Sequence, residues 1–212
     1  MTERSADIQA ARLVASWLLT YPDDVLLARL PELREVVADL PLRLREPLER
    51  FMHHLEHEPL LEQQQKYVAT FDMKRKTSLY LTYWTDGDTR NRGTAILRFK
   101  QAYQDSGWTI GNEELPDHLA VLLEFAAVAD PLTGDALLAE HDAPIGLLRD
   151  ALAKLESPYV DVVEVILATL PALTAAVKER MAQLAAQGPP QELVGLEPYG
   201  AQRILEISEV RR

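Results

Sequence analysis

Apolar residues recur every three or four positions through most of this chain, and that spacing limits its fold more than any other feature of the sequence. Near the N-terminus, one helical face carries Ile8, Ala11, Ala15 and Leu18. Prolines divide the pattern into segments of helical length, and no two segments have the sequence pattern of paired strands. The sequence therefore predicts an all-α fold, a single-domain helical bundle.

Three local predictions concern where helices begin. Asp23 is expected to cap a short helix over residues 24–30, with Pro31 in the first turn of the next one. Residues 78–84 are rich in Tyr and Thr, which favour strands, but we predict a helix because no partner strand is evident. Residues 115–118 are predicted to begin a helix that continues to about Val128.

The chain is long enough to bury a core without disulfides, and we predict one all-helical domain over residues 1–186. The helical pattern ends at about Gln187, where Gly188, Pro189 and Pro190 follow. We predict that residues 187–212 form a flexible C-terminal tail.

The composition excludes several classes of function. A net charge of −11 over 212 residues argues against nucleic acid and anionic membrane surfaces as partners. The absence of cysteine excludes disulfides, thiolate catalysis and cysteine metal ligands. We find no run of about 18 apolar residues and no secretion-signal layout at the N-terminus. We therefore expect a cytoplasmic protein without direct membrane insertion.

The charge is distributed unevenly along the chain. Residues 66–100 carry a net charge of +5, and residues 111–164 carry −10. Two interpretations remain open at this point. The two segments can be ordinary solvated helix faces, or they can form a bipolar surface that steers a charged peptide.

Neither glycine-rich phosphate loops nor a nucleophile with a neighbouring base can be identified, so we predict no catalytic residues and no cofactor. His53, Glu56 and His57 formally match a zinc-peptidase pattern, H-x-x-E-H. We interpret this string as a solvated helix end and predict no metal site, because no further ligand can be placed.

Asp117 and His118 stand at a predicted helix start and have two interpretations of equal weight. Asp117 can be the N-cap of that helix, since a carboxylate is favourable at the positive end of the helix dipole. Alternatively, the pair can contact an incoming peptide, with His118 on the first turn of the helix.

Three blocks of sequence stand out together. The first contains Tyr67, Phe71 and Asp72, the second is Ser-Leu-Tyr-Leu-Thr-Tyr at residues 78–83, and the third is Leu-Pro-Asp-His-Leu at residues 115–119. These blocks resemble the NarJ family of nitrate reductase delta subunits, within the wider class of redox-enzyme chaperones. The resemblance covers about residues 10–172.

The resemblance implies an all-helical, non-catalytic bundle of the redox-enzyme chaperone type. Such a protein would bind the N-terminal peptide of the apo nitrate reductase catalytic (alpha) subunit and keep it competent for molybdenum cofactor insertion before membrane docking. By the same resemblance, we expect peptide-binding residues at Pro116, Asp117, His118, Tyr67, Phe71, Asp72, Tyr80 and Tyr83.

Two other classes of function remain. One is a generic all-helical peptide-binding adaptor that has nothing to do with metalloenzyme maturation. The other is an enzyme, whose only candidate site is the string containing His53, Glu56 and His57.

Overall fold

A computed structural model of the protein describes residues 3–111, 114–170, 179, 182–184 and 186, without the side chains of residues 3 and 4. Over residues 3–111 and 114–170 the chain forms ten α-helices: α1 (Glu3–Leu18), α2 (Asp24–Ala38), α3 (Leu42–His57), α4 (Leu60–Tyr67), α5 (Leu81–Asp86), α6 (Arg90–Asp105), α7 (Leu119–Val128), α8 (Pro131–Glu140), α9 (Asp142–Lys154) and α10 (Tyr159–Thr169). A π-helical turn spans Val68–Asp72, and a 3₁₀ turn spans Arg75–Thr77. The predicted all-α fold is confirmed.

Helices α1, α7 and α10 form the centre of the bundle. α1 packs against α7, α10 and α2, while α10 also contacts α3 and α9, and α7 also contacts α8. The fully buried side chains at these contacts include Leu18, Phe51, Leu122, Phe125 and Ile166. Burial of these apolar faces is the main source of stability in such a bundle.

The structure corrects the prediction that Pro31 separates two helices. α2 runs without a break from Asp24 to Ala38, with Pro31 inside it. Its buried face continues across the proline at helical spacing through Leu26, Leu30, Leu33 and Val37. Burial of that face outweighs the roughly 3 kcal/mol that an internal proline costs. The predicted cap is confirmed, because Oδ1 of Asp23 accepts a hydrogen bond from the Leu26 amide at 2.8 Å.

The prediction of a helix over residues 78–84 is only partly right. The helix begins at Leu81, and Tyr80 instead forms an isolated antiparallel bridge with His118. The prediction failed because the partner segment had itself been assigned to a helix that began at residue 115. In the structure that helix, α7, begins at Leu119.

The predicted flexible tail, residues 187–212, lies outside the described residues. Within the described part of the chain, each helix is too short or too polar to cross a membrane.

Helices α7 and α8 approach each other closely at Gly134. A Cβ atom added to this glycine would lie 2.5 Å from the Cα of Ala126, which is far closer than two carbon atoms can pack. Gly93, in α6, offers the opposite case, because a Cβ there would meet nothing within 4 Å. The two glycines therefore differ in packing and share a helical backbone.

We expect Gly134→Ala to lower the free energy of unfolding by about 1–3 kcal/mol, the usual cost of overpacking a core. Gly93→Ala should raise it by about 0.4–1 kcal/mol, because alanine restricts the unfolded chain more than glycine does. Urea denaturation of both variants measures the difference. A shift of the two midpoints in the same direction would contradict the close packing of α8 on α7.

Candidate functional site

Helices α5 and α7 begin at the same place and complete each other's first turn. The Leu81 amide at the start of α5 donates to the Asp117 carbonyl at 3.0 Å. The Leu119 amide at the start of α7 donates to the Leu79 carbonyl at 2.9 Å. Amides in a first helical turn have no partner within their own helix. This reciprocal exchange, which we call the helix-start junction, satisfies one of them on each side.

The Asp117 side chain is the buried centre of the helix-start junction. It is 0% exposed, and its Oδ2 accepts hydrogen bonds from the Thr82 hydroxyl at 2.6 Å and from the Thr82 amide at 3.3 Å. The carboxylate therefore caps the first turn of α5, although Asp117 is 35 residues away from Thr82 in the sequence. The interpretation of Asp117 as the N-cap of α7 is wrong, because His118 occupies that position and makes no side-chain cap bond.

One further helix, α6, holds the helix-start junction in place. The hydroxyl of Tyr103, in α6, donates to the Pro116 carbonyl at 2.7 Å. The guanidinium of Arg92, also in α6, lies 5.5 Å from the ring centre of Tyr80 and 5.8 Å from that of Tyr83. Both distances are within the range of cation–π attraction. Arg92 therefore helps to orient Tyr80.

Beside the helix-start junction lies a groove with a volume of about 560 Å³. One wall consists of residues from the end of α1, the loop after it, the end of α4 and the π-helical turn: Ser16, Trp17, Thr20, Tyr21, Tyr67, Phe71 and Asp72. The opposite wall consists of residues from the helix-start junction and α7: Leu79, Tyr80, Glu114, His118, Ala120, Val121 and Glu124. Eight of these fourteen residues are aromatic or aliphatic and six are polar or acidic, a mixture that is common in ligand sites.

Aromatic rings pack together at the first wall of the groove. The rings of Tyr67 and Phe71 are tilted against each other with their centres 4.8 Å apart, and the ring of Tyr159 meets Phe71 edge-on, also at 4.8 Å. The Tyr67 hydroxyl donates to the Leu19 carbonyl at 3.0 Å, which fixes the ring to the end of α1. The π-helical turn at Val68–Asp72 leaves Phe71 buried and Asp72 exposed at the rim. Such turns occur frequently at functional sites.

The charged residues along the groove are acidic. Asp72, Glu114 and Glu124 line it, and none of the described lining residues is Lys or Arg. Glu114 also accepts a hydrogen bond from the Tyr80 hydroxyl at 2.8 Å. Burial and this contact both raise the pKa of Tyr80, so its phenol remains a donor at neutral pH. The groove lining therefore combines apolar side chains with three acidic ones, although Arg29 and Arg92 lie over the rings of Trp17 and Tyr80.

His118 lies in the groove between its apolar side chains and its acidic ones. It is 5% exposed, and its Nδ1 has no hydrogen-bond partner among the described residues. Burial lowers the pKa of His118 below its ordinary value of 6.5, although Glu114, Asp117 and Asp72 act in the opposite direction. The imidazole is therefore neutral at pH 7.

The structure divides the eight residues that the resemblance nominated into two groups. The residues that line the groove are Tyr67, Phe71, Asp72, Tyr80 and His118. The other three lie behind it: Pro116 and Asp117 are buried in the helix-start junction, and Tyr83 packs under Arg92.

Sequence reasoning missed the contribution of α1 and the charge of the second wall. Trp17 comes from α1 and Tyr21 from the loop that follows it, and neither was nominated from the sequence. An aromatic residue at the edge of a buried face is the signal that could have indicated a groove wall. Glu114 and Glu124 belong to the acidic segment and could have been nominated on charge alone.

A family profile and several relatives match this chain. Residues 37–164 match the family described as nitrate reductase delta subunit. The probable nitrate reductase molybdenum cofactor assembly chaperone NarJ of Bacillus subtilis is 34% identical, over 78% of this chain and 91% of its own length. The nitrate reductase molybdenum cofactor assembly chaperone NarJ of Escherichia coli strain K12 is 31% identical over 73% of this chain and 67% of its own length.

Another relative is much longer than this chain. The nitrate reductase-like protein NarX of Mycobacterium tuberculosis is 39% identical over 73% of this chain, but the match spans 23% of NarX. Among solved structures, a redox enzyme maturation protein from Archaeoglobus fulgidus aligns with a TM-score of 0.58 at 20% identity. That alignment covers 76% of this chain and 91% of the other, and it supports the fold alone.

The hydrogen bond between Thr82 and Asp117 can be tested by removal of the hydroxyl group. Thr82→Val keeps the shape of the side chain but deprives the buried carboxylate of its shortest bond. We expect the free energy of unfolding to fall by about 1.5–3 kcal/mol, the usual contribution of a hydrogen bond to a charged group. Thr82→Ser keeps the hydroxyl and is the matched control. Equal stability of the two variants in chemical denaturation would contradict the role given to Asp117.

Proposed function

Because this chain belongs to the nitrate reductase delta subunit family, we propose that it is a chaperone dedicated to nitrate reductase and that it binds the N-terminal peptide of the catalytic (alpha) subunit. On this proposal it acts in the cytoplasm and keeps the apo subunit competent for insertion of the molybdenum cofactor before the enzyme docks at the membrane. The family is one of chaperones, which confirms the prediction that the chain is not an enzyme.

The groove beside the helix-start junction is the observation that supports peptide binding most strongly. Its aromatic and aliphatic walls can bury the apolar face of a short helix, which is a common mode of peptide recognition. Its acidic residues favour a peptide that carries Lys or Arg next to that apolar face. We therefore propose a cationic, amphipathic helix as the ligand.

The eight nominated residues have two different parts in this proposal. Tyr67, Phe71 and Tyr80 contact the apolar face of the peptide, Asp72 contacts a basic side chain, and His118 offers its unpartnered Nδ1. Asp117, Pro116 and Tyr83 act indirectly, because they hold Tyr80 and His118 in position and lie outside the groove lining.

The peptide must also be released once the subunit has matured. That requirement favours a moderate affinity, with a dissociation constant of roughly 10⁻⁶–10⁻⁸ M, or about −8 to −11 kcal/mol. A groove that is already formed, with side chains held by the helix-start junction, can reach this range without large ordering costs.

Capture of the apo alpha subunit tests the proposal directly. The full chain should capture the subunit from solution, and deletion of the N-terminal segment of that subunit should abolish capture. The double variant Asp72→Lys, Glu124→Lys should bind the isolated N-terminal peptide at least ~10-fold more weakly at low salt, a loss of about 1.4 kcal/mol. Isothermal titration calorimetry measures the second effect.

The matched control is Glu32→Lys, Glu35→Lys, which makes the same change of net charge on the exposed face of α2, away from the groove. This variant should bind the peptide as the unmodified chain does. An equal loss of peptide affinity in both double variants would mean that the net charge of the chain, rather than the groove, controls binding. Capture that persists after deletion of the N-terminal segment would favour the generic adaptor over the chaperone.

The protonation of His118 should make peptide binding depend on pH. A bound cationic peptide disfavours the imidazolium form, so affinity should decrease once the pH falls below the lowered pKa of His118, by at most about 10-fold per pH unit for one proton. In His118→Gln this contribution is absent, and the slope of affinity against pH on the acidic side of neutrality should be shallower. Identical slopes for the two proteins in a peptide titration would contradict a role for His118 protonation in binding.

A further inference from the structure

The exposed C-terminal turns of α3 bring together three side chains that can ligate metals. His53, Glu56 and His57 occupy one face of the helix, and one ligand atom from each lies within 4.8 Å of the other two. The two imidazole rings are 3.9 Å apart between their centres. All three residues are exposed, so their side chains can adjust around an ion.

A hydrogen bond prepares one of the imidazoles as a ligand. Nδ1 of His57 lies 2.8 Å from the carbonyl oxygen of His53. This contact requires Nδ1 to carry the proton, which leaves the lone pair on Nε2 free. Histidine ligands in metal sites are usually oriented in this way, by a hydrogen bond from the nitrogen that does not bind the metal.

Acidic side chains also line the shallow surface depression that holds His53 and His57. Glu62 is one of them, and Glu58 is the other, although the Glu58 carboxylate is already paired with Lys66. Arg50 also lies there, but its guanidinium is engaged by Asp161 at 2.6 Å and 3.2 Å. Paired in this way, Arg50 adds little net positive charge to the depression.

One cation opposes metal binding. The guanidinium of Arg34, in α2, donates to both oxygens of Glu56, at 2.8 Å and 2.6 Å. A metal ion at the cluster must share the carboxylate with this guanidinium or displace it. This competition provides a distinctive way to test whether Glu56 is a ligand.

In place of the prediction of no metal site from the sequence, we propose that His53, Glu56 and His57 form a binding site for a divalent transition-metal ion of the zinc type. Two imidazole nitrogens and one carboxylate oxygen are a donor set that proteins use for Zn²⁺, with a further position left for water. Imidazole ligands select against Mg²⁺ and Ca²⁺, which prefer oxygen. The site shares no residue with the peptide groove and is independent of the proposed function.

Titration of the untagged full chain with Zn²⁺ in a calorimeter tests the proposal. We expect one ion per chain, and affinity should fall at least ~10-fold in His53→Ala and in His57→Ala, since loss of even an outer-shell partner costs that much. Glu56→Gln should also weaken binding, whereas Arg34→Gln should tighten it by removing the competing cation. Mg²⁺ should not bind at the same concentrations.

The control residue is His54, on the same turn of α3, whose Nε2 lies 3.0 Å from Glu58 and which stands outside the cluster. His54→Ala should bind Zn²⁺ with unchanged affinity. Zn²⁺ should also raise the melting temperature of the full chain but not that of the variant lacking both His53 and His57. Absence of binding, or equal affinity in that double variant, would overturn the site. Unchanged affinity in both Glu56→Gln and Arg34→Gln would overturn the three-ligand assignment.

Discussion

The reciprocal pairing of the starts of α5 and α7 is the interaction on which the rest of the site depends. A carboxylate that is 0% exposed is costly to bury, and Oδ2 of Asp117 offsets part of that cost by accepting hydrogen bonds from the amide and the hydroxyl of Thr82 at the start of α5. In return, the Leu79 carbonyl satisfies the first amide of α7. Two short segments that are distant in sequence are thereby fixed to each other, and each presents one aromatic side chain, Tyr80 or His118, to the groove.

Some residues of the site hold other side chains in position, and different residues are proposed to contact the peptide. Asp117 and Pro116 are buried behind the wall, and their influence on a ligand passes through Tyr80 and His118. The groove itself offers rings on its walls and carboxylates at its rim. In this proposal the apolar face of the ligand supplies most of the binding free energy, while the acidic rim governs orientation and the rate of association.

Much of the fold could be predicted from the sequence, because the periodic burial of an apolar face is a local property of each helix. The helix-start junction could not, since it joins segments that carry no alternating pattern and whose partners are far away along the chain. Among the groove residues, Tyr67, Phe71, Asp72 and Tyr80 were nominated by family resemblance alone, and His118 also by its place at a predicted helix start. Trp17 and Tyr21 were missed because α1 and the loop after it lie outside the three recognised blocks, and the packing of α1 on α7 brings this part of the chain to the site.

Amide chemical shifts of the isotope-labelled chain, recorded during titration with the N-terminal peptide of the alpha subunit, test the central claim most directly. We expect the largest shifts at the end of α1, in the π-helical turn, at Tyr80 and over residues 118–124. Shifts confined to another surface, such as the exposed face of α6 or of α8, with the groove unchanged, would contradict it.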